Sequence, residues 1–216
     1  FRILLINSIQ LLLRFQWDEL RVASVLGRIG LAWGLATLIG MHLRMRGLII
    51  TFAGILLLYW AAMMLIPVPG YGAGTLTMEG NLASYVDRHL MIGRLYLNIH
   101  DPEGILSTLP AAATGLLGVI TGVFLRAEDR RWPMAKKAGL LALAGLAGLG
   151  LGRLWGLAFP INKNLWTSSF VLYTGGWSLL LLSFFYLAID VLGFRKWAFF
   201  FIVIGLNPRL IYLTTA

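Results

Sequence analysis

Arg28, Arg153, Asp190 and Arg209 each interrupt an otherwise apolar run of the chain. An ionised group in hydrocarbon costs several kcal/mol unless it faces protein or water, so each position is a candidate for chemistry. A guanidinium is a planar fork of donors suited to phosphate or carboxylate. Arg28, Arg153 and Arg209, all toward one half of the membrane, could together hold an anionic ligand. The plainer alternative is that each extends to the interface along its own stem. Asn207 precedes Pro208 in the last apolar run. A helix broken there is tolerated only where protein or a cavity covers it, which adds 205–209 to the candidates.

Carboxylates form the second group. Asp101, Pro102, Glu103 and Gly104 stand just before the run that opens at Ile105. Their plain role is to start a helix: Asp as cap, Pro in the first turn, Glu against the positive end of the helix dipole. Their sharper role is an outward-facing carboxylate that takes a proton from a substrate amine or hydroxyl. His42 adjoins Arg44 and reads as interfacial. His89 and His100 lack metal-ligand spacing with each other, and the chain has no cysteine, so neither a metal nor thiolate chemistry is expected.

The elements that must position these groups are hydrophobic. Of the 216 residues, 59% are hydrophobic and only 12% charged, and mean hydropathy is +0.81. This excludes a water-soluble domain. Apolar runs fall at about 1–13, 24–43, 47–66, 105–125, 138–159, 167–191 and 198–214, most of them long enough to cross a hydrocarbon layer of ~30 Å. Lipid offers backbone polar groups no partner, and the runs lack barrel-strand alternation. The expected fold is therefore an all-α transmembrane bundle of about seven spans in a single domain, 1–216. The start at Phe1, inside an apolar stretch, suggests a piece of a longer protein.

Small residues mark where helices meet: Ala144, Gly148, Gly152 and Gly156 in one run, Thr114, Gly118 and Gly122 in another. The segment 67–104 is the one long stretch outside the runs. It opens with the turn-rich Pro67, Pro69, Gly70, Gly72 and Gly74. Asn81 then caps a short helix whose Leu82, Val86 and Leu90 share one face, as in a helix lying on the membrane surface.

The net charge of +9 would raise nucleic acid as a partner in a soluble protein. Here the basic residues flank the apolar runs, so membrane lipid is the expected partner and nucleic acid is not. Arg44, Arg46, Arg126, Arg130, Arg131, Lys136, Lys137, Arg195 and Lys196 cluster in alternate loops. The positive-inside tendency places those loops in the cytoplasm and 67–104 outside.

Four stretches carry a resemblance. Pro67-Val68-Pro69-Gly70, Glu79 to Arg88, Asp101-Pro102-Glu103-Gly104 with Ser107-Thr108-Leu109-Pro110, and Ile161 to Ser169 resemble, in order, the heparan-alpha-glucosaminide N-acetyltransferase family and its bacterial relatives. The resemblance implies a polytopic enzyme that moves acetyl from cytosolic acetyl-CoA to the amine of an amino sugar or other glycan across the membrane. It implies Asp87, Asp101 and Glu103 as bases, and Arg28, Asn81, Asn164 and Asn207 as donors to a tetrahedral oxyanion. Arg88 and Arg153 join the groups expected to bind substrate or acetyl-CoA. The resemblance implies that the family's acetyl-accepting His lies in an N-terminal segment outside these residues, since none of His42, His89 or His100 matches it. Around Arg28 the family's Pro-Gly and Gln are replaced by Ala23-Ser24 and Gly27. A bacterial cytoplasmic membrane is the expected location, and a homodimer is compatible with it. The alternative function is a non-catalytic transport or binding protein for a small anionic ligand.

Overall fold

In a computed structural model of the chain, residues 24–91, 95–96, 99–127 and 133–206 are described. They are helices and loops, with one isolated bridge between Val68 and Gly72. In chain order the helices are α1 (Val25–His42), α2 (Met45–Leu65), α3 (Leu82–Leu90), α4 (Ile105–Arg126), α5 (Met134–Trp155), α6 (Ser168–Tyr186) and α7 (Phe199–Leu206). A π turn, Leu187–Val191, extends α6.

Among the described residues five helices are long and apolar enough to span a membrane: α1, α2, α4, α5, and α6 with its π turn. Most of their surface is apolar and exposed, as lipid requires, and the interior is confined to narrow stripes. The chain is thus an all-helical membrane bundle. Of the other two expected spans, 1–13 lies outside the described residues, and 198–214 is described only as far as Leu206, over α7.

Glycines set the closest helix approach, at a register the sequence pattern only partly indicates. On α5, Gly145, Gly148 and Gly152 face Gly176, Leu172 and Tyr173 of α6; a Cβ on Gly152 would come 2.7 Å from the Tyr173 amide nitrogen. Ala144, expected on that seam, is exposed, and Gly156 faces the following loop instead. On α4, Gly118 and Gly122 face open space. The seam with α1 runs through Gly115, whose Cβ would meet the Ala36 methyl at 2.9 Å. On α5 the expected Gly148 and Gly152 line the seam, whereas on α4 the contact falls at Gly115, next to the expected Thr114, and not at Gly118 or Gly122.

Succession of the helices gives the bundle two ends. At one lie the start of α1, the end of α2, α3, the start of α4 and the α5–α6 loop. At the other lie His42, Arg44, Arg126, Lys136 and Lys137, and Arg195. At this basic end Lys137 is buried and its Nζ donates to the carbonyls of Leu125 and Ala127, at 2.8 and 2.7 Å. A cation thereby closes the negative end of α4.

Helix α3 packs onto the end of the bundle. Leu82 and Ala83 are buried with Tyr59, Met63, Val68, Phe159 and Leu165, and Tyr85 and Val86 pack against that cluster. Its apolar face therefore covers the end of the bundle; only Leu90 stays exposed.

Candidate functional site

The end covered by α3 holds most of the buried polar side chains. Asn81, Ser84, Asp87, Asp101, Thr167, Ser168 and Ser169 are fully buried, and His100, Ser107 and Arg28 nearly so. Burial of polar groups at this density is sustained only when they bond to each other or to backbone.

Asp87 sits at the centre. From the second turn of α3 its Oδ1 accepts from the Ile105 amide at 2.9 Å, capping the first turn of α4 across the chain. Among the described residues its Oδ2 is buried with no hydrogen-bond partner. Gly104 makes this possible: a Cβ there would collide with the Asp87 carboxylate. Burial pushes the Asp87 carboxyl up to about 6; the Ile105 amide opposes the rise and the neighbouring Asp101 charge adds to it.

Asp101 has the opposite environment. Its Oδ1 accepts from the Glu103 amide and its Oδ2 from the Tyr96 amide, each at 3.0 Å. The expected division of labour is therefore altered. Asp101 shapes the turn before α4, whereas the cap on α4 comes from Asp87, 18 residues before Ile105. No local motif signals a cap delivered from another helix.

Arg28 reaches this group from α1. It is 9% exposed and its Nη1 donates to the Pro102 carbonyl at 2.5 Å. Glu103, Asp101 and Tyr59 lie within electrostatic reach of it. Its guanidinium also lies over the Trp166 ring, 4.1 Å from the centroid. Arg88 donates to the Ile99 and Glu79 carbonyls and ties α3 to the loops on both sides. The structure thus brings Arg28, Asp87, Arg88, Asp101 and Glu103 together.

The remaining expected residues are placed otherwise. The Asn81 amide donates to the carbonyls of Thr77 and Met78 and to Ser84 Oγ, and its Oδ1 accepts from the Ser84 amide. It caps α3 as expected, but this leaves no donor for an oxyanion. Asn164 is exposed in the α5–α6 loop, its amide bonded to Asn162 Oδ1. Arg153 is exposed near the end of α5, 5.7 Å from the Tyr173 ring centroid. Asp190 is exposed on the π turn at the basic end. Asn207 and Arg209 lie outside the described residues.

Three residues absent from the sequence-based set, His100, Tyr59 and Trp166, belong to the cluster. His100 Nδ1 lies 2.7 Å from Ser84 Oγ, and burial lowers the His100 pKa, so the ring is neutral at physiological pH. Tyr59 Oη donates to the Leu165 carbonyl at 2.6 Å, joining α2 to the α5–α6 loop. Trp166 Nε1 donates to Thr114 Oγ1 at 3.1 Å, joining that loop to α4. Tyr59 and Trp166 read in the sequence as parts of apolar or interfacial stretches; the signal for Trp166 was its place in the Ile161 to Ser169 motif. Chemically, the cluster offers a carboxylate with one free oxygen, a held carboxylate, a neutral imidazole and a guanidinium.

No family model matches the chain. Heparan-alpha-glucosaminide N-acetyltransferase of Homo sapiens is 26% identical over an alignment 262 positions long, covering 98% of this chain and 39% of the human protein. The Mus musculus protein of the same name is 24% identical over 261, covering 98% and 40%. The chain spans about two fifths of the length of these curated relatives. With nearly all of its length aligned to both, on a membrane-spanning helical fold, the chain is a distant relative of the heparan-alpha-glucosaminide N-acetyltransferases.

Proposed function

We propose that the chain forms the membrane-embedded core of an acetyltransferase, moving acetyl from acetyl-CoA to the amine of an amino sugar or glycan. The amine nitrogen attacks the thioester carbonyl carbon, forming a C–N bond. The C–S bond then breaks, coenzyme A leaves as thiolate and takes up a proton, and the ammonium gives one up to a base. Asp87 is the base. A proton lodged on its free oxygen removes a charge that burial disfavours, and a carboxyl near 6 is poised to take and release it close to neutrality. Arg28 faces the developing oxyanion. Asp101 and Glu103 lie within electrostatic reach of Arg28 and balance its charge.

The single observation that carries this reading is the buried Asp87 carboxylate with an unpartnered oxygen. A structural cap needs one acceptor, and the second, left unbonded in a protein interior, is a standing cost that a proton-transfer role explains. Relatives named as N-acetyltransferases supply the reaction class. The basic end is assigned to the cytoplasm and the α3 end to the far side of a bacterial cytoplasmic membrane, by the positive-inside tendency. Acetyl-CoA then arrives from the basic end and the acceptor from the α3 end.

The test is transfer of labelled acetyl from acetyl-CoA to glucosamine by membranes that contain the protein. N-acetylglucosamine should form, and Asp87→Asn should reduce it by about 100-fold or more. No product from folded wild-type protein would remove the reading.

A further inference from the structure

Trp166 is the described non-glycine residue with a left-handed backbone, at φ 51°. For a bulky side chain this conformation costs of order 1–2 kcal/mol and persists only where surrounding bonds impose it. Those bonds are present. Asn162 Oδ1 accepts from the Asn164 and Leu165 amides, and the Trp166 amide donates to the Lys163 carbonyl. The Thr167 amide donates to the Asn162 carbonyl, and the Thr167 hydroxyl, which accepts from the Asn162 amide, donates to the Pro160 carbonyl. Tyr59 pins the Leu165 carbonyl from α2.

The strained turn aims the indole. Its N–H bonds to Thr114 of α4, its edge meets Phe170 of α6 at 5.1 Å between centroids, and its face lies under the Arg28 guanidinium of α1. Three membrane-spanning helices therefore converge on one ring. Packing alone would not call for this backbone, since glycine at 166 followed by an apolar contact would satisfy the loop without strain. What the ring adds is a fixed shelf for a charged fork. The Arg28 Nη1 bond to the Pro102 carbonyl shows where that fork is directed, toward the turn that holds Asp101 and Glu103.

We propose that Trp166 is a positioning residue of the acetyl-transfer site: strapped to Thr114 and held in a left-handed turn, its indole fixes the Arg28 guanidinium at the Asp101–Gly104 turn. This rests on the acetyltransferase reading for its kinetic consequence, and on geometry alone for its structural one. Trp166→Phe keeps an aromatic face but loses the Thr114 bond; Thr114→Val removes the bond from the other side.

The test has two arms on the membrane-embedded protein. In the first, Trp166→Phe and Thr114→Val each lower kcat about tenfold, with KM for the acceptor nearly unchanged, and Thr114→Ser restores the rate. Because both act through Arg28, neither lowers the rate further in an Arg28→Ala background. Independent losses in that background would overturn the proposal. The second arm needs no activity: labelling of Arg28 by phenylglyoxal, mapped by mass spectrometry, is several-fold faster in Trp166→Leu than in wild type, with melting temperature as the control for folding. Unchanged labelling of folded Trp166→Leu would overturn the proposal, whereas absent transfer with accelerated labelling would overturn only the acetyltransferase reading.

Discussion

At the residue scale, the two buried aspartates are separated by what bonds to them. Asp101 receives two backbone N–H groups; Asp87 receives one, and burial disfavours its charge. The stability consequence has a definite sign. A carboxyl raised in the folded state holds its proton longer folded than unfolded, so its contribution is complete below the ordinary carboxylate range and is lost as pH rises through about 6. Thermal melts of wild type and Asp87→Asn should therefore diverge in favour of the variant as pH rises from about 5 to about 8, by an amount no larger than roughly 3 kcal/mol. A constant difference across that range would show that Asp87 does not titrate there. Gly104→Ala tests the same contact from the other side. Its methyl would strike the carboxylate, so a loss of about 2 kcal/mol or more is expected in a detergent melt. These roles were only partly legible in the sequence. Asp87, Asp101, Glu103 and Arg28 could be singled out by type and motif, and Asn81 as a cap by its position before a helical face. That Asp87 caps α4 depends on tertiary contact between helices separated by the 91–104 loop, which local spacing does not encode.

At the scale of elements, five of the seven expected spans were legible because hydrophobic length alone identifies them, and their boundaries agree with the helices to within a few residues. The packing faces were less so. In a lipid-exposed helix apolar residues lie on every side, so the polarity contrast that marks the core face of a soluble helix is missing. Small residues are the remaining signal, and α5 carries them at Gly139, Gly145, Gly148, Gly150 and Gly152 together. The structure separates them. Gly176→Val should disrupt the α5–α6 seam and lower the melting temperature markedly, since a Cβ there would already be 2.7 Å from the Gly145 carbonyl oxygen. Gly150→Ala, which meets open space, should be neutral or stabilising by up to about 1 kcal/mol. Equal losses from the two substitutions would contradict the seam.

At the scale of the whole molecule, the polar cluster and the basic loops occupy opposite ends of a membrane-spanning bundle. This separation is what a reaction with its two substrates on opposite sides requires. The chain has no cysteine, so single cysteines report sidedness cleanly. In intact cells a membrane-impermeant maleimide should label Tyr71→Cys but should label Lys136→Cys only after the membrane is opened. The most direct test of the central claim joins sidedness to chemistry in sealed vesicles of known orientation, with labelled acetyl-CoA supplied to the basic face and glucosamine to the face of α3. The account predicts N-acetylglucosamine on the α3 side and its loss in Asp87→Asn. Folded protein that yields no product, or yields it equally in Asp87→Asn, would contradict it.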